Sequence, residues 1–206
     1  MKKKHFQQVG LAVLLTGLAA LLPGCPGDPF VYFPDAALES AVRESINKPF
    51  GFLTQSDLER VREINAAGLG IRNLKGLEYC IFATKINLRS NRIQSIAPLA
   101  ALENLRWLDL GDNVIRDIEP LSGLFQLEYL NLFGNDQEIW VWEPLVANAL
   151  SPNASLGNMG TVVLPVRTTL YTDNTLQEHF ANDYTLLLAA GVTVIFADAS
   201  GQEIEF

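Results

Sequence analysis

The chain has 206 residues, 49% of them hydrophobic, and carries 15 Lys and Arg against 23 Asp and Glu, for a formal net charge of −8. Nucleic-acid affinity is dominated by Lys and Arg neutralising phosphates, so an acidic chain excludes that class of partner. The same balance argues against electrostatic adhesion to anionic lipid, and the length suits a single domain.

Lys2, Lys3 and Lys4 make a positive start, followed by an uncharged run from Val9 to Leu22. That run falls short of the roughly 20 apolar residues needed to cross about 30 Å of hydrocarbon. Its length and flanks are those of a secretory signal peptide. It ends Leu22-Pro23-Gly24-Cys25, which resembles the lipobox of bacterial lipoproteins. The resemblance implies cleavage after residue 24 and acylation of Cys25. Residues 1–24 are then a signal peptide and 25–32 a lipid-anchored linker, in a protein tethered to a bacterial envelope membrane, at the outer membrane or cell surface. Several chains make such an anchor stable, since each buried CH₂ contributes about 0.8 kcal/mol. With the three lysines removed, 12 basic residues face 23 acidic ones, a balance of −11. Cys80 is left without a partner for an internal disulfide and falls on a core position of the repeat below, where a thiol behaves as a small hydrophobe.

Residues 33–63 read as a helical cap. Leu38, Ala41, Val42 and Ile46 recur at helical spacing, with Asp35 placed to cap the helix start. Lys48-Pro49-Phe50-Gly51 breaks the helix. Thr54-Gln-Ser-Asp57 then forms a capping box before a second short helix carrying Leu58 and Val61.

From residue 64 to 145 the chain repeats. Leu88, Leu110 and Leu132 are 22 residues apart, and the same step links Ile86, Leu108 and Leu130, Ile93 and Ile115, Ile96 and Ile118, and Pro98 and Pro120. Asn91, Asn113 and Asn135 also keep it and are expected to form a structural ladder, because an amide both donates and accepts where the chain leaves a strand. Leu108 and Leu110 alternate as in a short strand with one buried face. Pro98 and Pro120 exclude a long helix on the return side, leaving 3₁₀ or extended segments. One step back, Ile64, Ile71, Leu74 and Leu77 keep the spacing while Ala66 and Leu69 do not, an incomplete first repeat. The pattern LxxLxLxxNxL resembles the short, 22-residue, internalin-like class of bacterial leucine-rich repeats. Residues 33–71 are similar to the two-helix cap that precedes such repeats. The resemblance implies an α/β leucine-rich-repeat solenoid with short parallel strands on the concave side, a helical N-terminal cap and a mixed C-terminal cap.

In residues 146–206 the rhythm loosens into terminal repeats and a cap. Trp142-Glu-Pro144-Leu145 echoes Ile118-Glu-Pro120-Leu121 two residues late, which places an insertion near Asp136–Glu138. Thr161–Val166 reads as a strand with Arg167 at the ladder position. A helical pattern over Leu176–Leu188 leads through Gly191 to an apolar strand, Val192–Phe196.

Side chains between the leucines face outward from the concave sheet. They fall in three columns: Glu63, Lys85, Trp107 and Tyr129; then Asn65, Asn87, Asp109 and Asn131; then Ala67, Arg89, Gly111 and Phe133. With strands about 4.8 Å apart, Trp107, Tyr129 and Phe133 are expected to make one patch, extended by Val163 and Pro165. Clustered exposed aromatics mark binding sites. A C-terminal loop carrying Trp140 or Trp142 is the competing explanation, as a cover for these rings. The candidate binding residues are therefore Lys85, Asn87, Arg89, Trp107, Asp109, Tyr129, Asn131 and Phe133, with an unidentified protein as partner. A glycan or cell-wall component is the alternative, and a plain envelope spacer the third reading. No catalytic residues, metal ligands or cofactors are expected. After removal of the signal peptide the only histidine is His179, which cannot build a triad or a zinc site with a buried Cys80.

Overall fold

The computed structural model describes residues 28–135, 143–151, 161–165, 185–197 and 203–204. After two cap helices, α1 (Ala36–Ser45) and α2 (Gln55–Leu58), come strands β1 (Glu63–Asn65), β2 (Lys85–Asn87), β3 (Trp107–Asp109) and β4 (Tyr129–Asn131). Helix α3 (Glu143–Leu150), β5 (Thr161–Pro165), a helical turn at 185–189, β6 (Thr193–Ala197) and β7 (Glu203–Ile204) complete the described chain. The strands form one sheet in sequence order, parallel from β1 to β6, with β7 added antiparallel.

Each of the first four strands buries its middle residue, so Ile64, Ile86, Leu108 and Leu130 form one rung of the core. The return path supplies further rungs at the same step: Ile71, Ile93 and Ile115; Leu77, Leu99 and Leu121; Cys80, Leu102 and Leu124. All are at 0% exposure, so removing one leucine side chain is expected to cost about 2–5 kcal/mol through lost transfer energy and the cavity left behind.

The turn out of each strand has two fixed components. One is a residue in the left-handed region, at Gly68, Ser90, Asp112 and Gly134, with φ of 70°, 58°, 54° and 71°. The other is the asparagine that follows from the second repeat onward. Asn113 Nδ2 donates to Leu110 O of its own turn and to Leu88 O of the previous one, both at 3.0 Å, while its Oδ1 accepts from Ile93 N at 3.0 Å. Asn91 and Asn135 repeat the arrangement with Ala66, Leu88 and Ile71, and with Leu110, Leu132 and Ile115. Each amide therefore joins two successive coils through main-chain groups that burial would otherwise leave unsatisfied.

At Pro98 and Pro120 the return paths are 3₁₀ turns, Ala97–Ala101 and Glu119–Leu121. The fourth return differs: it is an α-helix, α3. Pro144 sits in its first turn, where a missing N–H costs nothing, so proline does not bar a helix there. The later strands are Thr161–Pro165 and Thr193–Ala197, within a residue of Thr161–Val166 and Val192–Phe196. Of the helix expected over 176–188, only its last turn is described; Asp136–Glu138 and Arg167 lie outside the described residues.

In the cap, Asp35 accepts from Ala37 N and Leu38 N at the start of α1. Thr54 and Asp57 make the reciprocal bonds of a capping box at α2. That second helix is a single turn, shorter than expected: Val61 lies beyond it, yet is fully buried on the lead into β1. In the incomplete first repeat, Leu69 stands 48% exposed between the left-handed Gly68 and Gly70, which swing the backbone outward.

Candidate functional site

The strand register places the outward side chains in the columns expected from the sequence. Glu63, Lys85, Trp107 and Tyr129 are successive partners, and Thr161 and Thr193 continue the row. Within that row Trp107 and Tyr129 stack, with ring centroids 5.0 Å apart and planes 7° from parallel. Lys85 Nζ lies 5.1 Å from the Trp107 ring centroid, a cation–π contact. Lys85 and Tyr129 come from the strands on either side of Trp107, so both faces of the indole are occupied and its edge is what it presents. Burial raises the Tyr129 phenol above its usual range, and the Asp109 carboxylate adds to this against a smaller opposing effect of Arg89.

The middle column has another role. Asn87 Oδ1 accepts from Arg89 N, Asp109 Oδ1 from Gly111 N and Asn131 Oδ1 from Phe133 N, at 3.1, 2.9 and 2.9 Å. Each is an Asx turn that bends the chain two residues on. Asp109 and Asn131 are only 7% and 4% exposed, so they support the face and offer little surface of their own, a correction to their expected outward display. A Cβ added at Gly111 comes within 3.0 Å of Asn131 Nδ2 and 3.1 Å of Asp109 Oδ1, so the glycine makes room for this polar row.

In the outer column Arg89 is exposed and its Nε pairs with Asp112 Oδ2 at 2.9 Å, with Ser90 Oγ 3.3 Å from the same oxygen. Phe133 is half-buried, two residues beyond Asn131 in the chain. Val163 is the register partner of Asn131, and its side chain lies outside what is described. The Pro165 side chain, Trp140 and Trp142 lie outside what is described. A second ion pair, Arg106 Nη1 to Glu128 Oε1 at 2.8 Å, joins residues one 22-residue step apart, and that step is its only trace in the sequence.

Little in the described residues suggests reaction chemistry. Cys80 is fully buried, and burial followed by the nearby Glu78 charge pushes its thiol up to about 12, which removes the thiolate a nucleophile or metal ligand needs. Among the described residues no three metal-ligating side chains come together, and no helix is long and apolar enough to cross a membrane. His179 lies outside the described residues.

Comparison with known proteins agrees with this geometry. A family model described as leucine rich repeat matches residues 83–136. Two solved structures from Listeria monocytogenes resemble the chain, both 21% identical. One is an internalin (inlF), with a TM-score of 0.52 over 84% of this chain and 58% of that one. The other is an internalin C2 (inlC2), with a TM-score of 0.59 over 82% of this chain and 79% of that one. The chain thus spans little more than half of the first. These likenesses concern the fold, an α/β leucine-rich-repeat solenoid with its parallel strands in one sheet.

Proposed function

We propose that this chain is a non-enzymatic protein-interaction module of a bacterial cell envelope, held to a membrane through lipid on Cys25 and binding a partner protein with its concave face. In this reading residues 1–24 are the signal peptide, 25–32 the linker and 33–206 the repeat domain of the short, internalin-like type. The observation that carries it is the Lys85–Trp107–Tyr129 stack. Aromatic side chains already locked against one another lose little freedom on binding, and such anchors dominate protein interfaces. The exposed Arg89–Asp112 and Arg106–Glu128 pairs give the stack a polar surround, as interface rims have. A curved solenoid sheet is also the surface on which stacked repeats present side chains to a ligand.

The same geometry weighs against a glycan. A sugar ring stacks on an aromatic face, and both faces of Trp107 are taken by Lys85 and Tyr129. The test is affinity capture from detergent-solubilised envelopes, using the chain and a Trp107→Ala/Tyr129→Ala variant shown to unfold with the same cooperativity. A protein retained by the first bait and lost by the second is the expected result. Equal capture by both, or release of the captured material by soluble envelope sugars, overturns it.

A further inference from the structure

The four most exposed large hydrophobic side chains among the described residues lie on the cap: Phe50 at 85%, Tyr32 at 74%, Phe52 at 71% and Phe30 at 62%. They are brought together by a short two-stranded ribbon. Phe30 bridges Thr54 in antiparallel fashion, Val31 N donates to Leu53 O at 2.9 Å and Gln55 N to Pro29 O at 3.2 Å. Side chains alternate across such a ribbon. Leu53 and Phe33 are buried and Val31 packs on the core, while Phe30, Tyr32 and Phe52 face away from it. The Phe30 and Phe52 rings touch at a centroid distance of 4.6 Å. Phe50 enters through the turn at Gly51, whose φ is +85°. Single exposed apolar residues are ordinary, but four on one ribbon form a patch that water does not favour.

The position of the patch along the chain identifies what covers it. The Asp28 carboxylate accepts from Ser56 N at 3.2 Å and from Ser56 Oγ, so the chain is fastened to the cap from residue 28 onward. Three residue steps separate that fastening from Cys25, and an extended chain reaches at most about 3.6 Å per step, or roughly 11 Å in all. An acylated Cys25 sits at the bilayer surface, so this tether holds the cap against the headgroup layer.

We infer that Phe30, Tyr32, Phe50 and Phe52 form a membrane-docking surface that enters the interfacial layer of the bilayer holding the Cys25 lipid. This rests on the lipidation reading above. Aromatic rings favour that layer, and an apolar ribbon needs no anionic lipid to enter it. The acidic chain, at −11 after removal of the signal peptide, gains nothing from an anionic surface, so docking is expected on neutral lipid and is not expected to be strengthened by anionic lipid. Docking adds orientation to the anchor: with the cap fixed at the surface, the repeat stack extends from a defined footing instead of swivelling on a flexible leash.

The test uses the full-length lipoprotein in phosphatidylcholine vesicles with a nitroxide attached through Phe50→Cys. Cys80 is fully buried and stays unlabelled, and a nitroxide in place of Glu103, on the exposed outer surface of the stack, is the aqueous control. Power-saturation measurements are expected to show oxygen accessibility of the membrane interface at position 50 and a water-like environment at 103. Phe52→Ser, alone and combined with Phe30→Ser and Tyr32→Ser, is expected to abolish the enhancement at 50, and adding phosphatidylglycerol is expected not to increase it. A water-like label at 50 in the unaltered background, with mass spectrometry confirming acyl chains on Cys25, overturns the docking surface and leaves the anchor standing. Dipolar broadening between labels shows a second copy on the patch and overturns it as well. Absence of acyl chains on Cys25 removes the tether and the inference together.

Discussion

The repeat stack and the N-terminal cap face the same difficulty, main-chain groups that the helix and strand ladders leave without a partner, and they meet it with different chemistry. In the stack an amide does the work: Asn91, Asn113 and Asn135 each donate to a carbonyl of their own coil and to one of the previous coil and accept from one N–H, joining neighbouring coils. In the cap it is a carboxylate. Asp35 Oδ1 takes the first amides of α1, while its Oδ2 accepts from Arg72 N at 2.8 Å and Asn73 N at 3.3 Å in the first repeat. Asp57 closes the capping box at α2 and holds Lys48. An amide is neutral and can serve carbonyls and an N–H together, so it suits a buried position repeated many times. A carboxylate only accepts and carries charge, so it suits helix starts, where only donors are orphaned.

The sharpest test of that division is Asn113→Ala, with the largest expected effect. It leaves the buried Ile93 N–H without its acceptor and removes the bonds to Leu88 O, Leu110 O and Gly111 O, although Leu88 O and Leu110 O keep a bond from Asn91 and Asn135. A loss of about 2–3 kcal/mol is expected by urea unfolding. Asn113→Asp should be no better, because the carboxylate cannot donate to Leu88 O and Leu110 O. If the aspartate variant keeps full stability, the amide is not what holds the coils together.

The two regions also differ in how far they are legible in the sequence. Whatever repeats is readable: the ladder asparagines, the Ile86–Leu108–Leu130 rung and the neighbouring Trp107 and Tyr129 all follow from one 22-residue step. What the step hides is direction and depth. Asn131 and Asp109 alternate with the buried leucines as outward residues should, yet they are turned down onto the backbone two residues ahead. The left-handed column is announced by glycine only at 68 and 134; at Ser90 and Asp112 the stack imposes the conformation on residues that give no local sign of it. In the cap nothing repeats. The pairing of Pro29–Val31 with Leu53–Gln55 joins segments more than 20 residues apart, so the aromatic ribbon has no periodic trace. Asp35 is legible as a helix cap but not as the link to Arg72, because that second role depends on how the first coil docks.

That link yields the next prediction in size. Asp35→Ala removes four main-chain bonds, two in the helix start and two across to the first repeat, on a partly exposed side chain. A loss of about 1–2 kcal/mol is expected. Asp35→Asn should recover much of the helix cap. The informative measurement is amide exchange at Ala37, Leu38, Arg72 and Asn73. If exchange rises at 37 and 38 alone, the cap helix and the repeat are held by packing, and the carboxylate bridge adds little.

The smallest effect separates the regions by pH. Burial pushes the Asp57 carboxyl up, but the Lys48 ammonium together with the Thr54 N–H and hydroxyl outweighs it and holds the group below its usual value. A folded-state value lower than the unfolded one means the unfolded chain takes up the proton first. The stability this carboxylate contributes is therefore fully present above about pH 4 and is lost as pH falls from there through the folded value. The ladder amides have no such transition. Acid is thus expected to loosen the cap ahead of the stack, with exchange at Leu58 and Val61 rising while Ile93 and Ile115, whose amides are held by Asn113 and Asn135, stay protected. Asp57→Asn should cost about 1 kcal/mol at neutral pH and flatten the acid response of the cap. Exchange at all four positions rising together at every pH would mean that cap and stack unfold as one unit, and that the chemical division between them has no thermodynamic consequence.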